Sequence, residues 1–241
     1  LPGEARAGLE VPMSGEYATI RYETTPDRVA TITLDRPEAL NAFDRRMCEE
    51  MRSAWQRIKA DPAVHAVVLR AAGERAFCAG LDVKKAYGQP DDVWNHEDPG
   101  ELLSPKWQKV WKPVVCAVQG MSTAGAFYFV NESDVVICSE DATFFDSHVS
   151  YGMVPALGPV GLMRRIGLGE TLRMGLLGND ERVGAETALR IGLVTEIAPR
   201  ERLWERAQEL PAEIAARPSA ATQGTVRAIW ESLDRPYRAA M

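Results

Sequence analysis

The chain has few of the residues that build covalent or metal-linked scaffolds. It contains four cysteines and three histidines in 241 residues. Cys48, Cys78, Cys116 and Cys138 form no C-x-x-C pair and have no histidine at metal-ligand spacing. The sequence therefore predicts neither a metal site nor a disulfide framework. We expect four reduced thiols that serve as small apolar residues in a cytoplasmic protein.

Two further absences narrow the function classes. The formal net charge is −6 and no basic stripe stands out, which argues against nucleic acid or an anionic membrane surface as a partner. No apolar run is long enough to span a bilayer, and no signal peptide is recognisable. Residues 1–14 show no clear periodicity, so we expect a flexible leader there.

What remains is the composition of a globular protein, with 46% apolar and 26% charged residues. Tyr17–Glu23 alternates as a strand does, and Val29–Leu34 returns after a Pro26-Asp27 turn, which predicts an opening hairpin. Asp44 stands at the N-cap of an amphipathic helix whose apolar residues recur every 3.6 positions. Strands and helices then alternate, which indicates an α/β protein.

The organisation changes towards the C-terminus, where helical patterns dominate from Pro159 onward. We therefore predict a core over residues 15–196 and a C-terminal helical subdomain over residues 197–241 that takes part in oligomerisation. The segment from Tyr87 to Gly100 is rich in Asp, Pro and Gly without periodicity, and it is predicted to be a mobile surface loop.

Two small-residue turns carry the strongest chemical signal. Ala76-Phe77-Cys78-Ala79-Gly80-Leu81-Asp82 follows one apolar strand pattern, and Gly120-Met121-Ser122-Thr123-Ala124-Gly125-Ala126 follows another. Small residues let a ligand approach the backbone, and free N–H groups at such turns can point at it. Two turns side by side would aim two donors at one oxygen, which predicts an oxyanion hole and an enzyme that acts on a carbonyl.

These motifs resemble the crotonase superfamily, the enoyl-CoA hydratase/isomerase family. Leu34-Asp35-Arg36-Pro37-Glu38-Ala39-Leu40-Asn41-Ala42 is similar to its N-terminal signature, and Ala76–Asp82 to its first oxyanion turn. Lys112–Gly120 resembles the strand before the second oxyanion turn, and Ala188–Val194 continues the pattern. The resemblance runs from about residue 17 to the C-terminus.

The resemblance implies an α/β spiral of ββα units, assembled as trimers or paired trimers, that binds acyl-CoA. Coenzyme A would enter as part of the substrate, with no separate cofactor. The thioester carbonyl would lie between two backbone N–H groups, which fall on Ala79 and Gly125. The family positions that line the CoA site fall on a set of neighbouring residues: Ala39, Leu40, Gly80, Leu81 and Asp82.

The chain departs from the family pattern at its proton-transfer positions. The two glutamates of a hydratase fall on Tyr128 and His148, and an aspartate used by some relatives falls on Ala156. Histidine titrates near neutrality and can act as an acid or a base. A tyrosine hydroxyl can donate a proton or orient a water, or the ring can simply fill space. His148 is therefore predicted as the main proton-transfer group, with Tyr128 assisting or shaping the pocket.

The sequence leaves the reaction open between three alternatives. A hydratase- or isomerase-type lyase acting on an unsaturated acyl-CoA is the first. Hydrolysis of a thioester, or of a C–C bond in a β-dicarbonyl compound, is the second. A homologue that binds acyl-CoA without chemistry is the third.

Overall fold

Ten strands in two sheets, with helices around them, make up the described part of the computed structural model, which covers residues 17–85, 98–155 and 157–236. The strands are β1 (Ile20–Thr24), β2 (Val29–Leu34), β3 (Ala66–Ala71), β4 (Ala76–Cys78), β5 (Val114–Val118), β6 (Met121–Thr123), β7 (Val135–Ser139), β8 (Thr143–Phe145), β9 (Val183–Gly184) and β10 (Glu196–Ala198). The helices are α1 (Arg45–Ala60), α2 (Phe127–Val130), α3 (Leu157–Leu162), α4 (Leu168–Leu177), α5 (Ala185–Arg190), α6 (Leu203–Ala215) and α7 (Ser219–Ser232).

The main sheet has the order β1-β2-β3-β5-β7-β10, and the small sheet has the order β4-β6-β8-β9. Only the β1–β2 and β8–β9 pairings are antiparallel. From β3 to β8 the chain places one strand in the main sheet and the next in the small sheet, and helical residues follow each small-sheet strand from β6 onward. This repeat confirms the predicted α/β spiral of ββα units.

The first elements follow directly from local sequence. The hairpin of β1 and β2 turns through Arg28, which has a φ of +64°. Asp44 Oδ1 accepts a hydrogen bond from the Met47 N–H at 3.0 Å and so caps α1, as predicted. The apolar face of α1 is buried, and Trp55 Nε1 donates to the Leu103 carbonyl at 2.9 Å. This packing fixes α1 against the spiral core.

The small sheet positions the site. Because β4, β6 and β8 are parallel neighbours, the segments that follow them leave the sheet at the same edge. These segments are residues 79–82, 124–126 and 146–151. The sequence signal for β4 and β6 was read as part of two turns, because three-residue strands are too short for a period of two to show.

The chain around the predicted domain boundary contributes a strand to the main sheet. The predicted boundary after residue 196 falls inside β10, which pairs with β7 in the main sheet. Helix α6 packs on that sheet, and Gln208 Nε2 donates to Thr31 Oγ1 at 2.9 Å. Helix α7, in contrast, has no fully buried side chain. Residues 1–14 and most of the predicted loop before Gly100 lie outside the described residues.

Within the described ranges, no helix is both long and apolar enough to cross a membrane. All four cysteines are described, and each is buried without a disulfide bond. Burial raises the pKa of the Cys78, Cys116 and Cys138 thiols to about 12, so these thiols stay protonated near neutral pH.

Candidate active site

The turn after β4 presents a different N–H from the one predicted. Ala79 donates its N–H to the Leu40 carbonyl at 3.1 Å, so this donor is engaged inside the protein. The Leu81 N–H has no acceptor among the residues described. On this turn the open N–H is therefore that of Leu81 and not that of Ala79, where the donor was predicted.

Strand-like pairing explains the direction of the Leu81 N–H. Phe43 N–H donates to the Gly80 carbonyl, and Asp82 N–H donates to the Phe43 carbonyl, both at 2.8 Å. In such a parallel bridge the central residue points its own N–H away from the partner strand. Leu81 therefore directs its N–H away from Phe43, and 37% of the residue is exposed.

The turn after β6 lies directly against the turn after β4. A Cβ built on Gly80 would lie 3.0 Å from the Gly125 nitrogen, so only glycine permits this approach. Gly80 also has a φ of +84°, in the left-handed region that glycine adopts without strain. The Gly125 N–H, like that of Leu81, has no acceptor in the described ranges. Two open backbone donors therefore meet at this edge of the small sheet.

Ala124, which precedes Gly125, has a φ of +51°. A left-handed conformation costs an alanine about 1 kcal/mol or more. The neighbouring turn at residues 37–41 shows the same feature, since Leu40 and Asn41 have φ values of +54° and +53°. Backbone strain in this part of the described chain is thus concentrated around the two open N–H groups.

The turn after β8 holds a carboxylate–imidazole pair. His148 Nδ1 lies 2.6 Å from Asp146 Oδ1, and the same oxygen accepts the His148 backbone N–H at 2.9 Å. The Asp146 side chain is fully buried, while 27% of the His148 side chain is exposed. After β8 the chain enters a 3₁₀ turn at His148–Tyr151, and this turn brings the two side chains together.

The Asp146 carboxylate determines which ring nitrogen of His148 can accept a proton. A carboxylate at Nδ1 favours the tautomer with the proton on Nδ1, which leaves the Nε2 lone pair open. Asp146 Oδ2 is buried without a hydrogen-bond partner in the described residues. Asp146 Oδ2 and the Ala124 carbonyl oxygen would lie 3.7 and 3.9 Å from a Cβ built on Gly158. The Asp146–His148 pair therefore adjoins the turn that carries the Gly125 N–H.

Tyr128 also contacts a carboxylate, which comes from another part of the chain. Its hydroxyl donates to Asp98 Oδ2 at 2.6 Å, and its ring packs edge-on against Phe43 with centroids 6.0 Å apart. Burial, together with this hydrogen bond, raises the pKa of Tyr128 above the ordinary value of 10.0. A Cβ on Gly100 would lie 2.3 Å from the Tyr128 ring, so the ring is held tightly. No motif in the sequence pointed to Asp98.

The residues expected to line a CoA site lie together. The Leu40 carbonyl contacts the Ala79 N–H, so the turn that contains Ala39 and Leu40 lies against the Gly80–Asp82 segment. The Asp82 carboxylate accepts from Arg36 Nη2 at 2.8 Å, and this hydrogen bond lowers the pKa of Asp82. The Asp82 side chain therefore holds the local fold through Arg36.

Sequence reasoning gave no role to Asn41, although this residue locks the same turn. Its Oδ1 accepts the Arg36 N–H at 2.9 Å, and its Nδ2 donates to the Ala72 and Ala76 carbonyls at 2.8 and 3.0 Å. Asn41 is fully buried. An asparagine tolerates the left-handed region better than most residues, which is the signal that identifies it.

The structure also locates several other polar and charged residues, which are candidates by residue type alone. Glu132 Oε2 accepts the Lys106 and Trp107 N–H groups at 3.0 and 3.2 Å, a structural role. Ser122 Oγ is buried and has no partner in the described ranges, so no base activates it there. His65 Nδ1 lies 3.1 Å from the Ala215 carbonyl. Lys84 and Lys85 are exposed, and His96 and Ala156 lie outside the described residues.

Known proteins share both this sequence pattern and this fold. A family described as enoyl-CoA hydratase/isomerase matches residues 24–240. The chain is 31% identical over 212 residues to (E)-benzylidenesuccinyl-CoA hydratase of Thauera aromatica, and the aligned region covers 87% of this chain and 82% of that protein. It is 34% identical over 194 residues to carnitinyl-CoA dehydratase of Proteus mirabilis, with 80% and 73% covered. A crystal structure of an enoyl-CoA hydratase/isomerase from Mycobacterium paratuberculosis is 38% identical with a TM-score of 0.85, covering 93% of this chain and 87% of that one.

Proposed function

The chain belongs to the enoyl-CoA hydratase/isomerase family, and from this premise we propose that it binds an acyl-CoA thioester at the carboxyl edge of the small sheet. Two curated relatives are named a hydratase and a dehydratase of CoA thioesters. Their names favour addition or removal of water over the other reactions of such a site. The observation that carries the proposal is the meeting of two open N–H groups beside a carboxylate-bound imidazole.

The N–H groups of Leu81 and Gly125 form the proposed oxyanion hole. The thioester oxygen becomes negative when electrons move from the double bond, and fixed backbone donors stabilise that charge without reorganising. Loss of one such donor typically raises the barrier by about 3 kcal/mol. The left-handed conformation of Ala124 supports this role. Because Ala124 directly precedes Gly125, its strained conformation directs the Gly125 N–H away from the hydrogen bonds of a regular helix.

His148 is the proposed proton-transfer group, and Asp146 is its positioning residue. In hydration, His148 Nε2 takes a proton from water while the oxygen of that water forms a bond to the β-carbon. The electrons of the double bond move onto the thioester oxygen, giving the enolate between Leu81 and Gly125. His148 then delivers its proton to the α-carbon, so one imidazole balances both proton transfers without a second carboxylate.

Tyr128 is assigned a positioning role rather than proton transfer. Its single hydroxyl proton is directed at Asp98, 2.6 Å away. A phenol whose proton is engaged this way can still accept a hydrogen bond at its oxygen. We therefore assign Tyr128 to shaping the pocket beside the reacting carbons.

Hydrolysis is the second candidate, and the Asp146–His148 pair favours it specifically. An imidazole with an open Nε2 can direct a water to a carbonyl carbon as well as to a β-carbon. Attack on the thioester carbonyl would release free CoA and a carboxylic acid. Attack on a β-carbonyl would instead break the adjacent C–C bond.

The test combines three readouts on one protein sample. Crotonyl-CoA is followed by loss of its enone absorbance and, with a thiol reagent, by release of free CoA. Binding of butyryl-CoA is measured by calorimetry. Enone loss without CoA release supports hydration, whereas CoA release supports hydrolysis. Binding without either reaction indicates a non-catalytic homologue, and absence of binding contradicts the proposal as a whole.

We further propose that the protein assembles as a homotrimer or a pair of trimers. Large apolar side chains remain exposed on α4 and on the segments that precede α3 and α4: Tyr151, Met153, Val154, Met163, Leu168, Leu172 and Leu176. An exposed apolar face of this extent is typical of an interface. Mass measurement by light scattering tests the assembly. The cytoplasmic location and the lack of a separate cofactor stay predictions.

A further inference from the structure

A cavity of about 450 Å³ opens beside the candidate active site. Its lining comes from α2, α3, α7 and the segment between residues 104 and 111. Five aromatic side chains contribute to the lining: Trp107, Trp111, Phe127, Tyr128 and Trp230. Three of the six tryptophans of the chain therefore lie around this one space.

The cavity reaches the start of α2, the helix that follows the turn of the proposed thioester position. Phe127 and Tyr128 stand two and three residues after Gly125, less than one helical turn away. At a rise of 1.5–2.0 Å per residue, they lie about 3–6 Å further along the axis. The β-carbon of a thioester bound at Gly125 would lie at a similar distance from the carbonyl oxygen. A substituent on that carbon can therefore enter the space behind Tyr128.

Most charged groups around the cavity are already paired. Lys106 Nζ lies 2.9 Å from Asp134 Oδ2, and Trp230 Nε1 donates to Asp134 Oδ1 at 2.6 Å. Arg164 pairs with Asp234 at 2.6 Å. Burial raises the pKa of Glu132, which favours its neutral form. Apart from Lys109, the lining thus offers aromatic surface rather than a free charge to a ligand.

We propose that this cavity binds an aromatic ring carried by the acyl group, so that the substrate class is aryl-substituted acyl-CoA thioesters. This inference rests on the proposed function. The size is sufficient, because an apolar cavity of about 150 Å³ already admits a benzene ring. Indole and phenyl rings stack on an aromatic ligand or meet it edge-to-face, and such contacts stabilise the complex beyond simple burial of area. An alkyl chain has no ring and lacks this additional stabilisation.

Binding of saturated thioesters tests the cavity without depending on catalysis. Calorimetry compares 3-phenylpropionyl-CoA with butyryl-CoA and hexanoyl-CoA. We expect the phenyl compound to bind at least tenfold more tightly than either alkyl compound. Equal binding of hexanoyl-CoA and 3-phenylpropionyl-CoA would overturn the aromatic assignment while the CoA site stands. If none of the three binds, the proposed function itself has failed, so the two failures are distinguishable.

Variants of Trp107 locate the ring. Trp107 is 51% exposed, so its truncation is compatible with folding. Trp107→Ala should remove most of the preference for the phenyl compound, and Trp107→Phe should keep it. Trp204→Ala is the matched control, because Trp204 is also partly exposed but lies under Arg70, outside the cavity.

Filling the cavity gives an independent check. Val160 lies on α3, lines the cavity and is 63% exposed. Val160→Trp should weaken 3-phenylpropionyl-CoA at least tenfold and leave butyryl-CoA within twofold. If both Trp107→Ala and Val160→Trp retain the full phenyl preference, the ring binds elsewhere and the inference is wrong.

Discussion

Two carboxylates hold aromatic side chains beside the candidate site, at the same distance but with opposite chemical consequences. Asp146 Oδ1 lies 2.6 Å from His148 Nδ1, and Asp98 Oδ2 lies 2.6 Å from the Tyr128 hydroxyl. An imidazole has two ring nitrogens, so a carboxylate at one of them leaves the other open for chemistry. A phenol has one proton, and a carboxylate that accepts it leaves no proton for a substrate.

Under the proposed function, this contrast gives unequal roles to Tyr128 and His148, the two positions on which the hydratase glutamates fall. Asp146 is fully buried and lies two residues from His148, so the imidazole orientation is set within a single turn. Asp98 comes from a segment thirty positions before Tyr128 along the chain. We therefore expect the Asp146–His148 pair to transfer protons and the Asp98–Tyr128 pair to shape the pocket.

The largest expected effect is that of His148→Ala. Removal of the only proposed proton-transfer group should lower kcat about 10³-fold, within the usual range for general acid–base catalysis. Butyryl-CoA binding should change little, since the N–H donors remain. His65→Ala is the control, because His65 contacts the Ala215 carbonyl far from the site. Unchanged turnover in His148→Ala would remove the distinction between the two pairs.

Gly125→Ala should rank next, with a loss of about 10²- to 10³-fold in kcat, as for removal of one oxyanion donor. A Cβ at this position would lie 2.4 Å from Phe43 Cε1, so the buried Phe43 ring or the turn must shift, and we expect the N–H to be displaced with the turn. Steady-state kinetics on crotonyl-CoA measures the loss. Gly224→Ala on α7 meets nothing within 4 Å and should leave kcat unchanged. Equal activity of the two variants would contradict the oxyanion assignment.

Asp146→Asn should lower kcat about 100-fold, because a misoriented or wrongly protonated imidazole costs a factor of this order. The asparagine keeps the size of the side chain but can present its N–H₂ to Nδ1. Kinetics and the free energy of unfolding are measured together, with Asp141→Asn, a surface acid paired with Arg200, as the control. A stability loss without a kcat loss would make Asp146 a structural residue only.

The sequence predicted the fold well, for a physical reason, while the roles of the site residues stay predictions. Long elements such as α1 and β3 carry strong periodicity, and the two small-residue turns carry a backbone requirement that only a few residue types meet. His148 was found from its aligned position. The α/β spiral and these turns therefore follow from local chemistry.

The remaining features depend on contacts that no local pattern encodes. Whether the N–H of Ala79 or that of Leu81 is free depends on the Leu40 carbonyl, nearly forty residues earlier. The Asp98–Tyr128 contact joins two segments that share no periodicity. Strand β10 was not predicted, because a three-residue strand in a helical region shows no alternation of polar and apolar residues.

The smallest expected effect, and the sharpest test of the contrast, is that of Tyr128→Phe. Loss of one hydrogen bond between the phenol and Asp98 is worth about 1 kcal/mol, so kcat/KM should fall less than about fivefold. Because the pKa of Tyr128 is raised above 10.0, the phenol stays protonated at every lower pH. The pH profile of kcat/KM should therefore keep its shape in the variant up to about pH 10. Asp98→Asn serves as the matched variant, since it removes the acceptor and keeps the ring. A loss comparable to that of His148→Ala, or the disappearance of a limb of the pH profile, would make Tyr128 a second proton-transfer group and the two pairs equivalent.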